Sequence, residues 1–151
     1  MGLIADLPGG SVGVDTMVFI YLIEEHPTFL PIVSPLFRRA DDGGERLVTS
    51  ALTLLEVLVL PYSAGNRPLA DRYEALLTRS RGIELVSLTH RQLRAAAQLR
   101  SATGVKTPDA LQLVAAIGAG CGAFVTNDRR LPSFPGLPVI QLSSYAGRGA
   151  P

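Results

Sequence analysis

Residues 11–23 have the sequence SVGVDTMVFIYLI, in which a short β-branched run leads into a single acid, Asp15, and then into a helical pattern. Val12 to Asp15 predicts a buried strand, and Thr16 to Glu25 predicts the helix that follows it. An ionised carboxylate is costly to bury unless it is paired, hydrogen-bonded or bound to a metal ion. Asp15 therefore requires a specific partner in the folded chain.

The same alternation of strand and helix continues to the end of the chain. Further strands are predicted at Leu47 to Thr49, Ile83 to Ser87 and Ala123 to Thr126, with a fifth at Val139 to Leu142. Helical patterns separate them, and this alternation is typical of a parallel sheet covered on both faces. The predicted fold is α/β, with three α/β/α layers around a short, mainly parallel sheet of four to five strands.

Two of the predicted helices carry an acid. One begins at a Ser50 cap, ends before Pro61 and carries Glu56 near its middle. Another begins at Thr107-Pro108-Asp109, which supplies a cap, a first-turn proline and an acid facing the helix dipole. In the first helix, Glu56 is predicted to lie inward or at the rim of the core, because an apolar surface should pack on the sheet. That surface comprises Leu52, Leu55, Val59 and Leu60.

Composition limits the class of protein. The chain has 151 residues, of which 47% are hydrophobic and 18% charged, so it suits one folded domain rather than a disordered chain. We predict a single domain over 1–151, with loose ends at 1–11 and 146–151. One cysteine and two histidines exclude an internal disulfide and a Cys/His zinc site. No run reaches the roughly 20 apolar residues of a membrane span, so we expect a soluble, cytoplasmic protein without a membrane partner.

Four acids stand in or beside apolar stretches. Asp15 and Asp128 follow predicted strands, Asp109 begins a helix, and Glu56 lies within one. In parallel sheets the ligand site lies beyond the carboxyl ends of the strands, where the strand order reverses. Because the four acids are far apart in sequence, only the folded core can gather them, which excludes a local calcium loop. Such a cluster predicts a hard-metal site and phosphodiester chemistry.

Four fragments in this order resemble the PIN-domain family, and most closely the VapC toxin ribonucleases of VapBC toxin–antitoxin systems. They are VDTMVFIYLIE (14–24), TSALTLLEVL (49–58), TPDALQLVAAI (107–117) and FVTNDRRL (124–131). The resemblance implies a short parallel sheet flanked by helices, Mg²⁺ or Mn²⁺ as cofactor, and cleavage of single-stranded RNA. It also implies a homodimer and inhibition by a cognate antitoxin protein.

The resemblance assigns the catalytic and metal-binding positions to Asp15, Glu56, Asp109 and Asp128. The three aspartates would lie closest to one or two ions, and Glu56 would act through a water, as a ligand of a second ion, or by orienting the nucleophile. Thr126 matches the hydroxyl residue that supports the acids. Asn127 and Ser50 match neighbouring polar positions, which act on the acids rather than on the ion.

We predict that a few cations near the acids attract the substrate, because the formal net charge of the whole chain is only +1. Arg129 and Arg130 adjoin Asp128, and Lys106 precedes Asp109 by three residues. These cations are candidates for binding the phosphates that flank the scissile bond.

Three functions agree with these residues. The first is a metal-dependent endoribonuclease that is the toxin of a type II toxin–antitoxin system. The second is a nuclease of the same fold in RNA processing or decay. The third is a module of this fold that binds RNA or protein without cutting. Taken singly, each acid is also explained by structure, as Asp109 is by its position at a helix start.

Overall fold

Residues 2–147 are described by a computed structural model of the protein, which contains five strands and seven helices among them. The strands are β1 (Gly10–Val14), β2 (Glu45–Ser50), β3 (Ile83–Val86), β4 (Phe124–Thr126) and β5 (Val139–Gln141). The helices are α1 (Leu3–Asp6), α2 (Thr16–Ile23), α3 (Leu30–Asp41), α4 (Leu52–Ser63), α5 (Arg67–Arg79), α6 (His90–Thr103) and α7 (Thr107–Gly118), followed by a 3₁₀ turn at Leu142–Tyr145.

All five strands form one parallel sheet in the order β3-β2-β1-β4-β5. The prediction of a short parallel sheet is confirmed, and each predicted strand end lies within two residues of the observed one. Short runs of β-branched and apolar residues predict such strands well, because both faces of a parallel sheet are buried.

Helices cover both faces of the sheet. On one face, Val12, Val14 and Leu47 pack with α2 to α5 in the main hydrophobic cluster. On the other face, Val48 packs with α7. The approach of α7 is close, since a Cβ added at Gly13 would lie 2.7 Å from the Cβ of Ala116. The three-layer α/β/α architecture is therefore confirmed.

The order of strands fixes where a ligand site can form. From β1 the chain passes to β2 and β3 on one side, and it returns to the other side of β1 to form β4 and β5. The connections leave β1 and β4 in opposite directions, which opens a crevice beyond their carboxyl ends. Asp15 directly follows β1, and Asp128 lies two residues beyond the end of β4.

Helix α4 differs from the prediction in its end and in its buried face. It runs through Pro61 to Ser63, and its buried residues are Thr53, Val57 and Pro61. The predicted packing surface is wrong, because Leu55, Val59 and Leu60 are 61%, 50% and 76% exposed. The helix is apolar on almost every face, so its composition did not indicate which face packs. Pro61 has no N–H to donate to the helix, and burial of its apolar ring compensates for the stability lost with that hydrogen bond.

The starts of α4 and α7 also differ in detail. Ser50, the predicted cap of α4, is the last residue of β2, and Ala51 occupies the cap position. The Oγ of Ser50 still accepts a hydrogen bond from the N–H of Leu52 at 3.2 Å. Thr107 is the first helical residue of α7 rather than its cap, and Lys106 occupies the cap without a side-chain bond. The proline in the first turn of α7 is as predicted.

The amino-terminal segment 1–11, predicted as a loose end, is partly built into the fold. Leu3–Asp6 forms a helical turn whose Leu3 is buried in the main core, and the carboxylate of Asp6 accepts a bond from Tyr145. The apolar side chain of Leu3 explains this order, since it covers core surface. Of the predicted loose tail 146–151, residues 148–151 lie outside the described residues. Within 2–147, the helices are all too short or too polar to cross a bilayer.

Candidate active site

Asp15 is held at the start of α2 by two hydrogen bonds. Its Oδ1 accepts from the N–H of Thr16 at 2.8 Å, and its Oδ2 accepts from the hydroxyl of Thr126 at 2.7 Å. The first bond makes Asp15 the cap of α2. Burial nevertheless dominates and raises the pKa of Asp15 above its ordinary value, against the effect of these bonds.

Thr126 joins the acids of β1 and β4. Its side chain is fully buried, and its Oγ1 both donates to Asp15 and accepts from the N–H of Asp128 at 3.0 Å. One hydroxyl therefore sets the spacing between two carboxyl-bearing segments. This contact is the geometry that a supporting hydroxyl residue requires.

Asp128 is paired with Arg130. Its Oδ1 and Oδ2 accept from Nε and Nη2 of Arg130, both at 3.1 Å, and Oδ1 also accepts from the Arg130 N–H at 3.0 Å. The hydrogen bonds from Arg130 hold the pKa of Asp128 below its ordinary value, and the charge of Lys106 acts in the same direction. Asp128 thus already carries a counter-charge from Arg130.

Asp109 lies in the first turn of α7 and faces the other acids. Burial raises the pKa of its carboxyl, and the charges of Asp15 and Asp128 raise it further, with a smaller contribution from Glu56. Arg130 opposes this rise. Asp109 therefore lies near enough to the other three acids for their charges to act on its carboxyl.

Glu56 is partly buried on α4, in line with the predicted position at the rim of the core. Its Oε1 accepts from the hydroxyl of Thr16 at 2.6 Å. Thr16 therefore contacts two of the four acids: its backbone N–H donates to Asp15 and its hydroxyl donates to Glu56.

Of the three predicted phosphate-binding cations, the structure brings two to the acids. Lys106 and Arg130 both influence the carboxyl groups, whereas Arg129 is exposed beside them. Arg130 differs from the expectation, because its guanidinium is engaged by Asp128 rather than directed outward. The reason is local, since a residue two positions after an acid in a turn lies within reach of it.

The two remaining predicted residues bind neighbouring elements of the fold. Asn127 donates to the hydroxyl of Tyr21 at 3.1 Å and accepts from the N–H of Ser143 at 3.1 Å, which ties the segment after β4 to α2 and to the 3₁₀ turn. Ser50 is buried, and its N–H donates to Oε1 of Gln112 at 3.0 Å.

Sequence reasoning missed a group of buried polar residues beside Glu56. They are Thr16, Thr49, Thr53 and Gln112, all of them buried and hydrogen-bonded to one another. A signal was present, because Thr53 and Gln112 interrupt apolar helices in the way that the acids do. Buried polar groups are almost always hydrogen-bonded, so such residues indicate a network.

The donor atoms of the site are carboxylate oxygens, the ligands that hard divalent cations prefer. Asp15, Asp109, Asp128 and Glu56 are therefore the residues that could hold such an ion. In residues 2–147, no three His, Cys, Asp or Glu side chains stand together as a ready set of ligands.

A separate cavity of about 540 Å³ lies at the amino edge of the sheet, where Gly10, Gly44 and Gly82 line it. It lies at the opposite edge of the sheet from Asp15 and Asp128, which follow the carboxyl ends of β1 and β4. The chemistry therefore favours the crevice between β1 and β4 as the candidate active site.

The raised pKa of Asp109 predicts a pH-dependent effect of Asp109→Asn in metal-free buffer. A carboxyl whose pKa is raised on folding stabilises the folded state below its ordinary pKa of about 3.9, and it loses that contribution as pH rises through the folded pKa. The wild-type protein therefore loses this stability as the pH rises from about 4 through the folded pKa of Asp109, and the variant does not.

Urea denaturation at several pH values, with a chelator present, measures this difference. The free energy of unfolding of Asp109→Asn minus that of the wild type should increase with pH. Asp71→Asn on the exposed face of α5 serves as the control. A difference that is flat or decreasing with pH would contradict the electrostatic coupling of Asp109 to the other acids.

Comparison with known proteins agrees with this geometry. A family model described as the PIN domain matches residues 12–137, a range that includes all four acids. No match was found among curated proteins. Three solved structures have a similar fold, at identities that support likeness of fold alone.

The first is the structure of VapBC2 from Rickettsia felis bound to a DNA fragment from the promoter, with 15% identity, a TM-score of 0.64, and coverage of 87% of this chain and 98% of that one. The second is a toxin–antitoxin complex from Klebsiella pneumoniae, with 18% identity, a TM-score of 0.61, and coverage of 87% and 97%. The third is Mycobacterium tuberculosis VapC20, described as a sarcin-ricin loop cleaving toxin, with 16% identity, a TM-score of 0.60, and coverage of 75% and 86%. Because the family model extends over most of the sheet and over every acid of the crevice, the chain belongs to the PIN domain family.

Proposed function

We propose that this protein is a metal-dependent endoribonuclease and the toxin of a type II toxin–antitoxin pair. The observation that supports the proposal is that the charges of Asp15, Glu56 and Asp128 all act on Asp109, and that Asp15 and Asp128 follow the strands where the strand order reverses. Membership of the PIN domain family supports nuclease chemistry at that place. The similar fold of VapC20, a protein described as a sarcin-ricin loop cleaving toxin, supports RNA as the substrate.

The cofactor that fits the acids is Mg²⁺ or Mn²⁺. All of the donors are carboxylate oxygens, and burial and mutual repulsion already raise the pKa of Asp15 and Asp109. A divalent cation would relieve that repulsion, since it supplies charge of the opposite sign. When bound, it polarises the scissile phosphate and lowers the pKa of a bound water.

The protein residues then have distinct roles. Asp15, Asp109 and Asp128 would hold the cation. Thr126 fixes the spacing between Asp15 and Asp128, because its hydroxyl bonds the carboxylate of Asp15 and the N–H of Asp128. Glu56, held by the hydroxyl of Thr16, would bind the cation through a water molecule, which it orients for attack. Lys106 and Arg130 supply positive charge at the edge of the acid cluster, where phosphates flanking the scissile bond would lie. Asn127 and Ser50 hold the backbone that carries these groups.

A protein partner is part of the proposal. Two of the similar structures are a VapBC assembly and a toxin–antitoxin complex. Helix α4 carries an exposed apolar stripe of Leu55, Val59 and Tyr62, spaced four and then three residues apart. Exposed apolar patches of this kind mark interaction sites, so we propose a cognate antitoxin and a homodimer as binding partners.

Incubating the purified protein with total RNA tests the enzymatic proposal. We expect new RNA ends in the presence of Mg²⁺ or Mn²⁺, and their loss when a chelator is added. Sequencing those ends identifies the RNA that is cut. Intact RNA under every metal condition would contradict a nuclease.

Expression in cells tests the toxin role. The chain expressed alone should arrest growth, and co-expression of a small adjacent gene should relieve the arrest. RNA cleavage without growth arrest would instead indicate RNA processing or decay. Size-exclusion chromatography at low concentration tests the homodimer, and elution as a 16.0 kDa monomer would reject it.

A further inference from the structure

Beneath Glu56 lies a buried network that draws one residue from each of four elements. Thr16 begins α2, Thr49 lies in β2, Thr53 lies in α4 and Gln112 lies in α7. All four are buried. Three of the elements also carry or adjoin an acid of the crevice, because Asp15 precedes α2, Glu56 lies in α4 and Asp109 lies in α7.

The amide of Gln112 has a fixed orientation. Its Oε1 accepts from the N–H of Ser50 at 3.0 Å, and a backbone N–H can only donate. The oxygen must therefore face β2, which directs Nε2 toward Thr53 at 2.7 Å and Thr16 at 3.3 Å. The N–H of Ser50 thus shows which atom of the Gln112 amide is the oxygen and which is the nitrogen, a choice that is often ambiguous for glutamine side chains.

The orientation of Gln112 determines the direction of every other proton in the network. Nε2 donates one proton to Thr53 and one to Thr16. The hydroxyl of Thr49 donates to Oε1 of Gln112 at 3.2 Å, so the Thr49–Thr53 contact at 2.7 Å uses the proton of Thr53. Thr16 accepts from Gln112, and its single proton is left for Glu56, whose Oε1 is 2.6 Å away.

We propose that Gln112 is a positioning residue that fixes Glu56 through the hydroxyl of Thr16, an inference that rests on the proposed nuclease function. A carboxylate can only accept hydrogen bonds, so a hydroxyl proton directed at it holds the ionised side chain in one place. Without Gln112, the Thr16 hydroxyl is free to turn toward Thr53, 3.1 Å away, and Glu56 loses its donor.

The network also couples two acids that separate helices carry. Gln112 follows Asp109 by three residues on α7, which is nearly one helical turn, and Thr53 precedes Glu56 by three residues on α4. The bond between Gln112 and Thr53 therefore ties the helix of Asp109 to the helix of Glu56 directly below the crevice.

The test compares Gln112→Met with Thr49→Val in the full chain, using calorimetric titration with Mn²⁺ and RNA cleavage at a temperature where both are folded. Each change removes a buried polar group while nearly keeping its volume, so both lower the melting temperature. We expect Gln112→Met to weaken Mn²⁺ binding by about 10–100-fold, the usual effect of losing a residue that orients a metal ligand. Thr49→Val leaves the path from Gln112 to Glu56 intact and should leave Mn²⁺ affinity unchanged.

A double-mutant cycle with Glu56→Gln identifies the path. If Gln112 acts through Glu56, Gln112→Met has no further effect on Mn²⁺ affinity once Glu56 is replaced. Additive effects in the cycle, or equal Mn²⁺ affinities for Gln112→Met and the wild type, overturn the inference. If the wild-type protein binds no Mn²⁺ and cuts no RNA, the proposed function fails and this inference fails with it.

Thr16 supplies a second pair of variants if Gln112→Met does not fold. Thr16→Val removes the hydroxyl and should weaken Mn²⁺ binding to the same degree. Thr16→Ser keeps the hydroxyl while losing the methyl group, and it should restore the affinity even though it packs less well. Equal affinities for the two Thr16 variants would overturn the inference independently of Gln112.

Discussion

Replacing Asp15 with asparagine is expected to abolish RNA cleavage while leaving the fold and RNA binding in place. Asparagine has the same shape, and its carbonyl oxygen can still accept the N–H of Thr16 that begins α2. The change removes one charge from the acids that would hold the cation. Losing a group that merely supports a metal ligand lowers activity by about 10–100-fold, so losing a ligand should lower it by at least about 100-fold.

Cleavage of a labelled RNA measures this effect, with Asp71→Asn on α5 as a control of matched chemistry. Asp71 pairs with Arg67 at the exposed surface, and its replacement should leave the rate unchanged. RNA binding by Asp15→Asn, measured in parallel, separates chemistry from substrate capture. Unchanged cleavage would show that the chain does not cut RNA with this crevice and would favour a non-cleaving binding module.

Millimolar Mg²⁺ or Mn²⁺ is expected to raise the melting temperature of the wild-type protein. Burial and the repulsion of the neighbouring acids raise the pKa of Asp109, and a bound cation would remove that repulsion. A ligand that binds only the folded state at 100 times its dissociation constant contributes about 2.7 kcal/mol. For a chain of this size that corresponds to a rise of roughly 5–10 °C.

Thermal denaturation with and without metal tests this expectation. Asp15→Asn and Asp109→Asn should lose most of the rise, whereas Asp71→Asn should keep all of it. Sodium chloride at the same ionic strength controls for screening, since general salt also weakens repulsion between carboxylates. An equal rise with sodium chloride and with Mg²⁺ would count against a specific cation site.

The sequence predicted the elements and their order because the relevant signals are local. Runs such as Val12 to Asp15 and Ile83 to Ser87 have the β-branched, apolar character of strands that are buried on both faces. Short apolar strands alternating with helices allow few arrangements other than a layered parallel sheet. The start of α7 at Pro108 was predicted in the same way, because proline suits the first helical turn.

The rotation of α4 could not be predicted in this way. A helix that is apolar all round has no polar face to indicate which side meets solvent. Thr53 and Val57 became the buried side because Thr53 joins Gln112, which lies 59 residues away in the chain. The same rotation left Leu55 and Val59 exposed and brought Glu56 beside Thr16.

The sequence by itself thus determined the strands, the layered sheet and the acids that stand where strands end, since each depends on neighbours along the chain. Only the tertiary structure decided which partner each acid has, with Thr126 on Asp15, Thr16 on Glu56 and Arg130 on Asp128. The physical reason is that burial and hydrogen bonding act through space. A side chain acquires its partner and its pKa from whatever the packed elements bring within about 3 Å of it.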